Sequence, residues 1–120
     1  MAEHEYPYEA WIGLDLDGTL AEYHGWDDGK IGKPIPKMAT RLHRWVMSGK
    51  NVRIVTARMA PSNDLEKMEA DIRRWLRVHF NAEVAKIPIT CCKDRGMIEL
   101  WDDRAVQVIE NTGERVDGKD

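Results

Sequence analysis

The stretch Trp11-Ile12-Gly13-Leu14-Asp15-Leu16-Asp17-Gly18 constrains the fold more than any other part of the chain. Its apolar residues, Trp11 to Leu16, fill successive positions, so Trp11 to Asp15 reads as a strand buried on both faces. Residues two apart in a strand point to the same face. Asp15 and Asp17 therefore share one site where the strand ends and Asp17-Gly18 turns the chain. Two acids crowded there repel unless a cation or a proton separates them. A buried acid without a partner is unusual. A bound divalent metal, with one acid as nucleophile and the other handling protons, meets both demands. The plain alternative is that Asp17-Gly18 is only a turn and Asp15 a solvated strand residue.

The rest of the chain supplies neighbours for that strand. Gly18 to Pro34 is a long polar connection with four glycines, in which Asp28-Gly29 reads as a hairpin tip. Ile35, Met38, Ala39, Leu42, Trp45 and Val46 follow helical spacing, with Pro36 in the first turn and Ser48-Gly49 as the stop. Asn51 to Thr56 reads as a second buried strand. Ala57 to Ala60 leads out, and Pro61 opens a second helix with the stripe Leu65, Met68, Ile72, Trp75 and Leu76. Its basic face, Lys67, Arg73, Arg74 and Arg77, reads as solvated. Glu83 to Ile89 is a weaker third strand, Met97 to Trp101 a fourth ending on Asp102-Asp103, and Val106 to Ile109 a short fifth. The polar tail from Asn111 to Asp120 is expected to fray.

Strands alternating with helices predict an α/β fold with a mainly parallel sheet and right-handed crossovers. Sites in such sheets lie at the carboxyl ends of the strands. Asp15, Asp17, Thr56, Asp102 and Asp103 all fall on that edge. Three separated segments thus deliver polar groups to one crevice.

A chain of 120 residues suits a single domain, residues 1–120. A net charge of −3 rules out a global basic field for nucleic acid or anionic membrane. No apolar run approaches a membrane span. Met1 to Glu9 carries no signal-like apolar stretch. Cys91 and Cys92 are adjacent, which fits neither a zinc spacing nor an ordinary bridge, and they read as reduced thiols. The expectation is a cytoplasmic protein with no membrane partner. His4, His43 and His79 have no metal-like grouping.

With these residues in view, the chain resembles the haloacid dehalogenase (HAD) superfamily of phosphohydrolases. Asp15-Leu16-Asp17-Gly18-Thr19-Leu20 is similar to its first motif, an apolar run followed by DxDGT. Ile54-Val55-Thr56-Ala57-Arg58 resembles the second, a strand ending in Ser or Thr. Trp101-Asp102-Asp103-Arg104 resembles the acidic fourth motif in its paired form. The third motif is a lysine, for which Lys93 is the first choice and Lys86 the alternative. The resemblance implies a HAD-like Rossmannoid three-layer sandwich. It is of the capless kind, because Gly18 to Pro34 holds only a small flap.

The roles implied by the resemblance are specific. Asp15 is the nucleophile. Asp17 protonates the leaving oxygen and then activates water. Thr56 hydrogen-bonds a phosphoryl oxygen, and Lys93 neutralises nucleophile and phosphate. Magnesium is held by Asp15, the backbone carbonyl of Asp17, Asp102 and Asp103, with Asp103 the direct ligand of the paired acids. Tyr23, His24 and Trp26 of the flap are candidate substrate contacts, and Arg58 a candidate phosphate or substrate contact. The leading function is a magnesium-dependent phosphatase that hydrolyses a phosphomonoester through an aspartyl-phosphate. The motifs also resemble the phosphatase half of polynucleotide kinases, so a nucleic-acid end phosphatase is an alternative. The chain lacks the GxxxxGK[ST] loop of the kinase half. A non-catalytic binding module with the HAD fold is a third reading. An open site admits a bulky phosphorylated substrate, or a partner subunit of a homo-oligomer serves as the lid.

Overall fold

The computed structural model describes residues 9–120. The signal-peptide reading of the first residues therefore falls, up to Tyr8, outside the described residues. Strands β1 (Trp11–Leu14), β2 (Val52–Val55), β3 (Ile89–Thr90) and β4 (Met97–Trp101) form one sheet in the order β3-β2-β1-β4. Every pairing is parallel. The protein is α/β, as its alternating patterns predict. β1 lies inside the sheet, and all four of its residues are buried.

Two helices fill the crossovers: α1 (Pro36–Met47) between β1 and β2, and α2 (Leu65–His79) between β2 and β3. Pro36 starts α1, where its missing N–H costs nothing. Ser48 and Gly49, the latter at φ +84°, end it. The helices bring Met38, Leu42, Trp45, Ile72, Trp75 and Leu76 against Ile12, Leu14, Val52 and Ile54 in one core. Those four strand residues share a face because strand side chains alternate.

The opposite face carries Trp11, Gly13, Arg53 and Val55. Here a helix of the expected three-layer sandwich is not formed among the described residues. Only residues 91–96 join β3 to β4, too few for a helical crossover. Asp94 fastens this segment across the face. It accepts from the Trp11 indole at 2.8 Å and from Arg53 at 3.2 Å. Gly13 is glycine for a reason: a Cβ there would lie 2.8 Å from the Met97 sulfur.

Several sequence expectations need correction. Pro61 does not open α2. The helix starts after Asp64, whose carboxylate accepts from the Lys67 N–H at 3.2 Å and caps it. Glu83 to Ile89 is not a strand. Val84–Lys86 forms a single 3₁₀ turn, with Val84 N–H bonded to the Asn81 side chain at 2.8 Å. Its apolar residues Val84 and Ala85 reach the core through that turn, and β3 begins only after Pro88, which lacks the N–H for ladder pairing. The fifth strand does not join the sheet. Val108 bridges Arg115 in a local antiparallel loop, which also ties down the expected fraying tail as far as Val116. The flap is no hairpin. Ala21 bridges Pro34 and Glu22 N–H meets Lys33 O at 2.8 Å, and beyond them the tip is a 3₁₀ turn, Asp27–Gly29. Among the described residues no helix is long and apolar enough to cross a membrane.

The basic face of α2 is not uniformly solvated. Arg73 Nη1 donates to the carbonyls of Ala85 (2.7 Å) and Ile87 (3.0 Å), and Nε to Glu69 (3.0 Å). It stitches α2 to the turn that precedes β3. Arg73→Ala is expected to cost about 1–3 kcal/mol, because two carbonyls lose a charged donor. Arg77→Ala, at an exposed position, should stay within about 0.5 kcal/mol. Urea titrations of both variants measure the difference.

Candidate active site

Beyond β1 the chain folds into a tight loop anchored by Leu16. Its carbonyl accepts from the N–H groups of Thr19 (3.3 Å), Leu20 (3.0 Å) and Ala21 (2.9 Å). Leu16 and Leu20 are fully buried and plug the loop into the core. Asp15 N–H donates to Trp101 O at 2.9 Å, so Asp15 stands directly beside the end of β4. Gly18 has φ +90°, and a Cβ there would fall 2.6 Å from an Asp103 carboxylate oxygen. Glycine is thus demanded twice, by backbone conformation and by the closeness of Asp103.

Asp15, Asp102 and Asp103 each offer a carboxylate oxygen within 4.8 Å of the others. The Thr19 hydroxyl lies 3.3 Å from Asp15 and 3.2 Å from Asp103, and accepts from the Asp103 N–H at 3.0 Å. Burial, a hydrogen bond with Asp103 and the charges of Asp102 and Asp103 push the Asp15 carboxyl up to about 7, with Thr19 acting weakly against them. Three carboxylates this close together offer hard oxygen donors, the kind that suits hard divalent cations in general. One Asp102 oxygen is already taken by the Arg104 N–H at 2.7 Å. Asp103 keeps the closer relation to Asp15.

Asp17 stands apart from this group, against Arg58. The guanidinium donates Nε to Oδ2 at 2.7 Å and Nη2 to Oδ1 at 2.9 Å, a two-point clamp. Arg58 is only 4% exposed. Its third bond, from Nη1, goes to the Gly29 carbonyl of the flap at 2.7 Å, and its Cζ lies 4.8 Å from the centroid of the Trp26 ring. Thr56 ends β2 almost fully buried, and its hydroxyl oxygen accepts from the Arg58 N–H at 3.2 Å. The hydroxyl proton is left to donate into the cleft.

A cleft of about 640 Å³ opens over these groups. Asp15, Asp17, Thr56, Asp102 and Asp103 all line it, with Tyr23 and Trp26 from the flap and Arg58 and Arg104 as its cations. His24 does not: it is exposed and contacts Glu22 at 3.2 Å. Neither candidate lysine lines it. Lys86 sits on the 3₁₀ turn before β3, paired with Glu83 at 3.2 Å. Lys93 is exposed, two residues beyond Cys91, which does line the cleft. Sequence reasoning assigned no role to Thr19 or Asn63. Thr19 was visible as the residue closing the Asp-Gly-Thr run. Asn63, which donates to the Arg58 carbonyl at 3.0 Å, carries no sequence signal.

No protein-family model, no curated protein and no solved structure matches this chain.

The raised Asp15 value sets a pH dependence. A carboxyl with pKa near 7 when folded and 3.8 ordinarily holds its proton more tightly in the native state. Its contribution to stability is full below about pH 4, falls as pH rises and is gone above about pH 7. A divalent cation bound among Asp15, Asp102 and Asp103 would take the place of that proton. Millimolar magnesium is therefore expected to raise Tm clearly at pH 8 and little at pH 5.5, where it must displace a proton. Asp103→Asn should reduce the shift at pH 8 more than Asp102→Asn. Thermal melts with and without magnesium decide both points.

Proposed function

We propose that the protein is a capless phosphatase of the HAD type, dependent on magnesium, acting on a phosphomonoester. The observation that supports this reading best is the convergence of Asp15, Asp17, Thr56 and Asp103 from the ends of β1, β2 and β4 on one cleft. Asp15 attacks phosphorus, and the bond to the leaving oxygen breaks as Asp17 gives that oxygen a proton. Asp17 then takes a proton from water. The resulting hydroxide displaces Asp15 from the aspartyl-phosphate and releases inorganic phosphate. The Thr56 hydroxyl donates to a phosphoryl oxygen and holds the group in line. Phosphoryl transfer needs chiefly this positioning and charge neutralisation. Asp15, Asp102, Asp103 and the Asp17 carbonyl would hold magnesium, which would supply the charge that lets a carboxylate approach a phosphate dianion. Lys93, exposed and without an ion pair among the described residues, supplies the remaining positive charge by reaching in from the loop after β3.

The test is phosphate release over a panel of phosphomonoesters and phosphorylated oligonucleotide ends, with and without magnesium. Asp15→Asn, which keeps shape and removes the nucleophile, should lower turnover more than about 1000-fold. Near wild-type turnover in that variant would sink the covalent mechanism. Lys93→Ala should lower turnover on the best substrate at least about tenfold, and Lys86→Ala should leave it unchanged. The reverse ranking reassigns the lysine.

A further inference from the structure

Arg58 has more partners than a phosphate-binding arginine requires, and they lie on two different bodies. Nε and Nη2 grip both oxygens of Asp17, on the loop after β1. Nη1 grips the Gly29 carbonyl at the flap tip. The ring of Trp26, also at the tip, covers the guanidinium plane. Among the described residues two side-chain hydrogen bonds fasten the flap, residues 22–33, to the rest of the protein. One is Trp75 Nε1 to Gly32 O at 2.9 Å, at the flap's root. The other is Arg58 to Gly29 O, at its tip.

We propose that Arg58 is a positioning residue that couples the flap to Asp17, so that seating the flap and orienting the Asp17 carboxylate are one event. A guanidinium is planar and rigid, with its donors at fixed angles. It cannot follow a lifted Gly29 without turning its other edge away from Asp17. The Asp17 clamp in turn holds Arg58 where the flap tip meets it. Each Asp17 oxygen has a second lone pair beyond the one Arg58 uses, so the clamped carboxylate can still handle a proton. Trp26 is 49% exposed, and it lines the cleft with its ring against Arg58. The assignment of a proton-handling role to Asp17 rests on the phosphatase reading; the mechanical link between Asp17 and the flap does not.

Hydrogen–deuterium exchange reads the link without any activity. Asp17→Asn removes the charge at the far end of the clamp and leaves the flap sequence untouched. It should speed exchange of the amides in residues 22–33 while those of β2 keep their protection. Arg58→Lys, which keeps the charge and loses the fork, should do the same. Trp26→Leu, at a half-exposed position where folding is not at risk, should do so to a smaller extent. Flap exchange unchanged in both Asp17→Asn and Arg58→Lys overturns the proposal, as does a loss of protection spread equally over β2. With an active substrate in hand, Arg58→Lys should lower kcat at least about tenfold, the scale of a lost charged hydrogen bond, and change KM less than threefold. Adding Trp26→Leu to it should bring little further loss, since both act through one link. Independent, multiplying effects on kcat would refute coupling. Coupled exchange with no phosphate released by the wild type from any substrate would sink the phosphatase reading and leave the link standing.

Discussion

A half-buried carboxylate just past the end of a fully buried strand, beside two more carboxylates, is the constraint around which this molecule is arranged. Asp15 lies there because β1 lies between β2 and β4, and pairing with β4 carries Asp102 and Asp103 up to it. Gly18 must be glycine because Asp103 comes so close. Leu16 and Leu20 are fully buried and hold the loop that turns at Asp17 to the core, together with the backbone bonds to the Leu16 carbonyl and the Arg58 clamp. Hydrophobic anchoring of the loop therefore sets the electrostatics: a looser loop would let the three acids spread into water and lose their mutual effect.

Asp15 and Asp17 are two residues apart and live in opposite surroundings. Asp15 faces acids and is pushed toward its protonated form. Asp17 faces a buried arginine. Two carboxyl groups of one loop thus have opposite partners, acids for Asp15 and a cation for Asp17. The division is made by β4 on one side of β1 and the residues following β2 on the other, so the sheet order itself separates the surroundings of the two acids.

The elements legible in the sequence are those with a clear apolar pattern. α1 and α2 were readable because burial of a stripe leaves a period in the residues, and β1, β2 and β4 because each is a short, mostly apolar run bounded by polar or turn residues. The polar groups at strand ends were readable too, since topology places them. What was not legible depended on partners distant in the chain. Val84 and Ile87 look like strand residues, and only the contact with Arg73 and the Asn81 cap turns that segment into a 3₁₀ turn. Asp64, rather than Pro61, starts α2 because a side-chain cap outweighs a proline's preorganised φ. The grip of Arg58 on Asp17 spans 41 positions, and no local pattern encodes it. Neither does the single hydroxyl of Thr19 shared between two acids.

That hydroxyl has a further consequence. Thr19 stands at hydrogen-bonding distance from oxygens of both Asp15 and Asp103 but has one hydrogen to give. Whichever acid receives it, the other is left short of a donor. At the mouth of β1 lone pairs therefore outnumber the hydrogens that Thr19 can give, and the proton that Asp15 holds below about pH 7 is what evens the count.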